Sequence, residues 1–175
     1  MKKILLRAAA LLLALVLAGC GTASPAETVP TEADKTDDNY RVFYEIFVGS
    51  FADSDGDGTG DLNGILRHLD YLNDGNLLSD TSLGVQGLWL TPIFASPSYH
   101  KYDATDYYRI DSDFGTEDDL RALLDACHAR NVKVILDLVI NHTARNHEWF
   151  QSFCQSHADA NPDDPYYDYY SLSLI

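Results

Sequence analysis

The sequence predicts a parallel α/β fold, specifically the N-terminal portion of a TIM (β/α)8 barrel with about three β/α units. Apolar, β-branched or aromatic runs alternate with amphipathic helical patterns, which is typical of parallel strands joined by helices. No glycine-rich phosphate-binding fingerprint follows the first run, and polar residues stand at the end of the third, where barrel enzymes place their chemistry. The barrel is therefore favoured, with a doubly wound sheet as the alternative.

The first strand is predicted at residues 41–48, whose aromatic and β-branched composition suits a strand covered on both faces. A helix is predicted next, with Gly75 at the position of a left-handed C-cap. Its apolar residues repeat at helical spacing: Leu62, Ile65, Leu66, Leu69 and Leu72. The second strand is predicted at residues 85–90, ended by Thr91 and Pro92.

The second helix is predicted to begin at Thr116, because three acidic residues follow it where the positive end of the helix dipole favours carboxylates. Asn131 is expected to close this helix. Its apolar stripe is formed by Leu120, Leu123, Leu124 and Cys127. The third strand is predicted at residues 132–140, the most apolar segment after the N-terminal region, with Asp137 and Asn141 at or just past its carboxyl end.

Composition limits the partners that the chain can bind. Asp and Glu number 27 against 12 Lys and Arg, which gives a formal net charge of −15. Such an acidic chain is not a basic nucleic-acid-binding protein, and polyanionic ligands are disfavoured. At 46% hydrophobic residues the chain is able to bury a core.

The N-terminal residues are predicted to be an export signal and not part of the folded domain. In residues 1–19, basic residues precede an apolar run at 8–17 that is shorter than the roughly 20 residues of a membrane-spanning helix. Residues 17–20, Leu-Ala-Gly-Cys, resemble the bacterial lipobox, so Cys20 is expected to be acylated. Residues 20–39 are predicted to be a flexible tether. The expectation is an exported protein, lipid-anchored to the bacterial cell envelope.

Two further cysteines, Cys127 and Cys154, permit a disulfide in an exported chain without implying one. Cys127 lies on the predicted apolar face of the second helix, where a cysteine serves as a small hydrophobic residue. The sequence alone leaves their pairing open.

An acidic loop after the first strand predicts a Ca²⁺ site. Carboxylates alternate with small residues, Gly58 permits a sharp turn, and Thr59 is expected to offer its backbone carbonyl. The carboxylate ligands are expected to be Asp53, Asp55, Asp57 and Asp61. The loop is not an EF-hand, because a strand precedes it and Gly64 stands where the bidentate Glu belongs. A solvated acidic turn is the alternative.

Several segments in order resemble the α-amylase family of glycoside hydrolases (family 13). Residues 47–65 are similar to the family's first strand, calcium loop and first helix, and residues 87–93 to its second strand. Residues 99–107 resemble its substrate-stacking loop, and residues 137–142 its first signature region. The resemblance extends over residues 40–170 and implies that residues 40–141 form the first β/α units, with residues 142–175 beginning an inserted loop domain (domain B).

The resemblance implies roles for particular residues. Tyr102 would stack under the sugar at the cleavage site, and His142 would donate a hydrogen bond to its hydroxymethyl group. Asp103 resembles the acid that binds hydroxyls of the same ring in oligo-1,6-glucosidase-like and intermediate members, and His100 lies in the same loop. Asp137 resembles the carboxylate that supports an active-site arginine. Asn141 is expected to support the same site.

Lys101 departs from the family pattern, because the family usually has Gly at this position. The resemblance also implies that the catalytic carboxylates come from later strands than this chain contains. A retaining mechanism needs two such groups roughly 5 to 5.5 Å apart. We therefore expect the chain to be part of a lipid-anchored enzyme that hydrolyses α-1,4-glucans such as starch. The 175-residue chain alone is expected to be inactive.

Two other function classes remain open at this point. One is a non-catalytic, calcium-dependent glucan-binding lipoprotein that uses Tyr102 and His142. The other is a calcium-dependent adhesion module unrelated to sugars. Within the enzyme class, α-1,4 hydrolysis, α-1,6 hydrolysis and transglycosylation are not separated by the sequence.

Overall fold

The computed structural model describes residues 41–171. The predicted signal segment, the acylated Cys20 and the tether lie outside these residues. No helix within residues 41–171 combines the length and the apolar character that crossing a membrane requires.

A three-stranded parallel sheet forms the centre of the structure. Its strands are β1 (Phe43–Ile46), β2 (Gly87–Leu90) and β5 (Lys133–Leu136), in the order β1-β2-β5. The register pairs Ile46 with Leu90 and Leu90 with Leu136, so the three carboxyl ends lie at one edge. This confirms the predicted parallel α/β arrangement.

Each strand is shorter than predicted, for a local reason. The chain turns into the short helix α1 (Val48–Phe51) directly after β1. β2 ends before Thr91 and Pro92, and a proline has no N–H to continue a ladder. β5 ends at Leu136, level with the end of β2. The Asp137 N–H still donates to the Leu90 carbonyl at 2.9 Å, and the residues after Asp137 leave the sheet.

The first predicted helix is divided in two, α2 (Leu62–Arg67) and α3 (Leu69–Leu72), with His68 between them. Its predicted end at Gly75 is wrong: the C-cap is Asn73, and Gly75 takes its positive φ of 81° in the following loop. This shift follows from Asn73, whose side-chain amide donates to the Val85 carbonyl at 2.7 Å and draws the chain out of the helix.

The second helix, α4 (Glu117–Ala129), begins where it was predicted. Thr116 caps it, and Asp119 completes a capping box by accepting from the Thr116 backbone N–H. Asn131 adopts a positive φ of 57° after the C-cap residue Arg130, consistent with its predicted role as terminator.

Two further elements were not predicted. An antiparallel hairpin pairs β3 (Phe94–Ala95) with β4 (Asp106–Ile110) beyond the carboxyl end of β2. Helix α5 (Glu148–Ala158) follows the third strand and is capped by His147, whose ring accepts from the Trp149 N–H.

The core lies between one face of the sheet and the helices α2, α3 and α4. Leu88 and Cys127 are fully buried in it, and Gly87 admits the Phe43 ring, which a Cβ at residue 87 would overlap. Cys127 and the exposed Cys154 are both free thiols, and burial raises the pKa of the Cys127 thiol to about 11. Other core side chains are Ile46, Leu62, Ile65, Leu69, Leu72, Leu90 and Leu123.

Candidate functional site

The carboxyl edge of the sheet brings together side chains from two distant parts of the chain. Tyr102 comes from the loop of the β3–β4 hairpin, whereas Asp137 and His142 follow β5. The Tyr102 hydroxyl donates to Asp137 Oδ2 at 2.6 Å, and His142 Nε2 lies 3.1 Å from the Tyr102 backbone carbonyl. The Tyr102 ring is therefore held both by its own hydroxyl and by its backbone.

The contact between Tyr102 and Asp137 has an electrostatic consequence. The hydrogen bond to the carboxylate, followed by burial and the negative charge of Asp137, raises the pKa of the Tyr102 hydroxyl to about 12. A neutral phenol is favoured because it donates to the carboxylate, whereas a phenolate would be repelled. Tyr102 thus stays a hydrogen-bond donor across the physiological pH range.

Asp103 and His100 belong to a serine-rich network in the same hairpin loop. Asp103 Oδ1 accepts from Ser96 Oγ at 2.7 Å and from Ser98 Oγ by a shorter bond, and His100 Nδ1 lies 4.0 Å from the same oxygen. Burial raises the pKa of Asp103, but the hydroxyl donors Ser98 and Ser96 outweigh it, and the net shift is downward. Asp103 is therefore an ionised acceptor beside the Tyr102 ring.

The buried side chain of Lys101 stabilises the conformation of the hairpin loop. Its φ of 62° is left-handed, as the family's usual glycine would allow, yet the side chain is buried at 4% exposure. Its ammonium lies 3.0 Å from Asp111 and 2.9 Å from Asp113, over the face of Phe114. Burial lowers the pKa of Lys101, but the bonds to Asp113 and Asp111 reverse this, so the pKa is raised overall.

Four residues of this hairpin network were not predicted as site residues: Asp111, Asp113, Ser96 and Ser98. The sequence did contain a signal for the two acids. Asp111 and Asp113 follow a segment rich in strand-forming residues, and Lys101 is the one Lys or Arg in the Tyr-rich residues 99–108. The serines carried no signal of their own, since a short hydroxyl side chain in a loop has many equivalent uses.

Asn141 and His142 line an apolar cavity of about 270 Å³. The Tyr107 hydroxyl donates to the His142 carbonyl at 3.1 Å and holds the segment after β5 against the hairpin. Aliphatic and aromatic side chains complete the lining: Leu138, Ile140, Trp149, Tyr169 and Tyr170.

The acidic loop brings three of its four carboxylates together. One ligand oxygen from each of Asp53, Asp55 and Asp61 lies within 4.8 Å of the others. Asp57 is outside this group, and its Oδ1 accepts from the Thr59 N–H at 2.7 Å. Ligand oxygens 2.3–2.6 Å from a single Ca²⁺ can be separated by this much, so the chemistry and spacing of the three carboxylates fit the ion.

Backbone N–H donors keep two carboxylates of this group, Asp53 and Asp61, ionised. The N–H groups of Gly56 and Gly58 lower the pKa of Asp53. Burial raises the pKa of Asp61, but the N–H groups of Ser54 and Gly64 outweigh it and the pKa is lowered overall. Asp61 also caps α2 by accepting from Gly64 at 2.6 Å, so the loop and the helix share one carboxylate.

Comparisons with known proteins place this geometry in a family. The profile "Alpha amylase, catalytic domain" matches residues 45–173. Alpha-amylase 3 of Dictyoglomus thermophilum is 50% identical over 132 residues, which is 75% of this chain and 24% of that protein. A trehalose synthase/amylase of Mycolicibacterium smegmatis is 44% identical over 149 residues, 85% of this chain and 23% of the relative.

Structural comparison with a solved protein also supports the alpha-amylase fold. The crystal structure of an alpha-amylase from H. orenii aligns with a TM-score of 0.70 and 52% identity, over 77% of this chain and 27% of that one. The chain thus spans about a quarter of the length of the relatives that it matches. The predicted barrel is confirmed over the doubly wound sheet. The chain belongs to the alpha-amylase family of glycoside hydrolases, and residues 45–173 match the N-terminal part of that family's TIM-barrel catalytic domain.

Proposed function

We propose that this chain supplies part of the substrate-binding edge of a retaining glycoside hydrolase that acts on α-1,4-glucans such as starch and maltodextrin. The observation that carries the proposal is the convergence of Tyr102, Asp137 and His142 at the carboxyl edge of the sheet. Because the chain matches about a quarter of its relatives' length, hydrolysis is proposed for the whole protein that also carries the catalytic carboxylates.

The proposed contact with sugar begins with the Tyr102 ring. The apolar face of a pyranose packs well on an aromatic ring, and the polar end of a tyrosine finds a hydrogen-bond partner at the same time. Tyr102 is 38% exposed while its hydroxyl is held by Asp137, so ring area remains accessible without leaving the phenol unpaired. A ring already fixed in one orientation loses little conformational entropy when a sugar binds.

Asp103 and His142 are proposed to satisfy the sugar hydroxyls. Asp103 is ionised and accepts hydrogen bonds, as a hydroxyl-binding carboxylate must. His142 Nε2 donates to the Tyr102 carbonyl, since a carbonyl only accepts. A sugar hydroxyl would therefore meet His142 Nδ1, which accepts from a hydroxyl in the neutral ring and donates only in the imidazolium form. This refines the donor role that the family resemblance implies for His142.

Calcium is proposed as the ion held by Asp53, Asp55 and Asp61, with the backbone of Thr59 as a further oxygen ligand. The support is the fit of three carboxylate oxygens within 4.8 Å and the downward pKa shifts of Asp53 and Asp61. Bound Ca²⁺ would relieve the repulsion among these carboxylates and stabilise the loop between β1 and α2.

Export and lipid anchoring through Cys20 are proposed from the sequence of residues 1–20. Metabolic labelling with a radioactive fatty acid tests this directly. We expect label in the wild-type chain and none in the variant Cys20→Ser. Label that persists in this variant would contradict acylation at Cys20.

Titration of the full chain with maltoheptaose, followed by calorimetry, tests the glucan site. We expect binding by the wild type and a loss of about tenfold or more in affinity for Tyr102→Ala, because the stacking surface disappears. The matched control is Tyr108→Ala, since Tyr108 is an 83% exposed tyrosine on β4 that is not one of the three converging residues. A β-linked cello-oligosaccharide of similar length is expected to bind more weakly.

Equal affinity of Tyr102→Ala and the wild type would contradict the glucan site. Binding of neither sugar by a folded chain would favour the adhesion module instead. Binding of maltoheptaose without cleavage is expected of this chain. A complete protein that behaves in the same way would favour the non-catalytic glucan-binding alternative.

A further inference from the structure

A loop at the opposite edge of the sheet carries an exposed apolar tip. The loop comprises residues 73–86, between α3 and β2, and we call residues 77–78 within it the leucine tip. Leu77 is 97% exposed and Leu78 is 92% exposed. Tyr71 and Leu83 beside the tip are half-exposed, and the Leu83 N–H donates to the Tyr71 carbonyl at 2.9 Å. Adjacent exposed leucines flanked by further apolar side chains are characteristic of interaction sites.

The polar groups under the tip are satisfied within the loop itself. The Leu78 N–H donates to Asn76 Oδ1 at 3.0 Å, and the Asn76 N–H donates to Asp74 Oδ1 at 2.9 Å. Ser79 Oγ donates to Asp74 Oδ2 at 2.6 Å. These bonds pair the N–H groups of Asn76 and Leu78 within the loop, which lowers the cost of bringing that part of the backbone into an apolar environment.

The loop is also braced against its neighbours. Arg130, at the end of α4, donates to the Asn73 carbonyl at 3.0 Å and to Asp70 Oδ1 at 2.7 Å. Gln86 donates its N–H to the Val42 carbonyl at 2.9 Å and accepts from the Lys133 N–H at the same distance. The loop is thereby tied to the entrances of all three parallel strands and presents the leucine tip from a fixed base.

The position of the loop excludes the outer strands of the sheet as its cover. β2 is the central strand of the order β1-β2-β5, so the loop that leads into it lies between β1 and β5. Further barrel strands would pair at β1 and β5. The strands that would complete the barrel therefore do not pair over the leucine tip.

Charge differs between the two edges of the sheet. At the strand-entrance edge, Asp70 pairs with Arg130, and two further basic residues, Arg41 and Lys133, stand at the starts of β1 and β5. At the carboxyl edge acids predominate, among them Asp53, Asp55, Asp61, Asp103 and Asp137. An anionic surface would repel the carboxyl edge and tolerate the edge that carries the leucine tip.

Taken together, the geometry points to a lipid bilayer as the occupant: the leucine tip enters the membrane surface, and the carboxyl edge with its sugar site faces away. The chain enters β1 at this same edge, through Val42 beside Gln86. The N-terminal segment expected to carry the acyl anchor therefore joins the fold on the side of the leucine tip. This inference goes beyond the proposed sugar chemistry, and it rests in part on the proposed acylation of Cys20.

Fluorescence quenching by brominated lipids tests the inference on the full 175-residue chain. Vesicles contain phosphatidylcholine and phosphatidylglycerol with brominated acyl chains, and binding is scored by co-flotation. The reporter is Leu78→Trp, and the matched control is Tyr99→Trp, at a residue 79% exposed in the hairpin loop that carries Tyr102. Wild-type emission from Trp89 and Trp149 is subtracted.

We expect the emission of Leu78→Trp to shift to shorter wavelength and to be quenched, while Tyr99→Trp changes little. In a second reporter, Leu83→Trp, quenching should be lost when Leu77→Ser and Leu78→Ser are added. Equal quenching at the two edges, no quenching of Leu78→Trp, or failure of the chain to float with vesicles would each overturn the inference. Maltoheptaose titration of the same proteins reports separately on the sugar site.

Discussion

At the scale of single residues, Tyr102 joins two parts of the chain that are 35 positions apart in sequence. Its hydroxyl bonds to Asp137, while its backbone carbonyl lies against His142. Neither contact is local, so each requires the hairpin to fold back over the end of β5. Loss of Asp137 is therefore expected to change the pKa of the Tyr102 hydroxyl.

The tyrosine titration gives the first prediction. In ultraviolet difference spectra, Tyr102 should ionise at about pH 12, against the ordinary 10.0, and Asp137→Asn should lower this pKa because the carboxylate charge is gone. Tyr102→Phe identifies the transition by removing it. Since the folded pKa is raised, the contribution of Tyr102 to stability is complete below pH 10.0 and is lost as the pH rises through about 12. An unchanged transition in Asp137→Asn would refute the pairing.

Lys101 gives a second prediction at this scale. Lys101→Met leaves Asp111 buried without its cation, and we expect a loss of about 3 kcal/mol in the free energy of unfolding, measured with urea. Arg109→Met is the matched control, because the Arg109–Asp106 pair is exposed and its loss should cost less than about 1 kcal/mol. Equal effects of the two substitutions would mean that the buried ion pair does not hold the hairpin.

At the scale of elements, the acidic loop and α2 depend on each other through Asp61, which belongs to the carboxylate group and also caps the helix. Ca²⁺ binding at the loop is therefore expected to stabilise the first β/α unit as a whole. Binding to the folded state contributes about 2.7 kcal/mol when the free ion exceeds its Kd by roughly 100-fold.

The calcium prediction is tested by thermal unfolding with Ca²⁺ and with a chelator. Ca²⁺ should raise the Tm of the wild type, and this rise should disappear in Asp55→Asn, which removes one carboxylate of the group. Asp57→Asn, a control in the same loop and outside the group, should retain most of the rise. A wild-type Tm that is the same with and without chelator would rule out the site.

Some elements were predictable from sequence because their signals are local. Thr116 followed by three acids specifies the start of α4, and the apolar runs identify the strands. The hairpin was missed because its pairing is short and interrupted by a register shift between Phe94 and Ala95. Helix α5 was missed because it is rich in Gln and Ser, although Phe150, Phe153 and His157 recur on one face.

The candidate site was predictable in part for a similar reason. The α-amylase resemblance implies that Tyr102 and His142 contact the same sugar, and the predicted parallel strands put Asp137 and Asn141 at the carboxyl edge. The position of Asp57 outside the carboxylate group has no such local signal, because Asp55 and Asp57 alternate in the same pattern and each accepts from the N–H two residues later. The choice between alternative partners of similar chemistry follows from backbone geometry, which residue spacing does not specify.

At the scale of the whole molecule, the sheet has one covered face and one open face. Leu88 and Leu90 are buried on the helix side, whereas Trp89 is 41% exposed and Ile135 46% exposed on the other. The register places Trp89 beside Ile135, so the two form a continuous apolar surface of the kind that lines a closed barrel.

The open face gives a prediction for the chain in isolation. A dye that fluoresces on apolar surfaces should bind the 175-residue chain, and Trp89→Gln should reduce the signal. Tyr71→Gln, a change of an exposed aromatic residue outside the sheet, should reduce it less. Absence of dye binding together with a sharp, monomeric thermal transition would show that the face is covered.

We propose that this chain forms the opening part of a glucan-cleaving barrel, and a segment exchange with a relative provides the decisive test. Residues 45–173 would replace the aligned segment of the H. orenii alpha-amylase, which is 52% identical. We predict that the chimaera folds and hydrolyses soluble starch, and that Tyr102→Ala lowers its kcat/KM by about tenfold or more. A folded chimaera without starch hydrolysis, or one in which Tyr102→Ala has no effect, would contradict the claim.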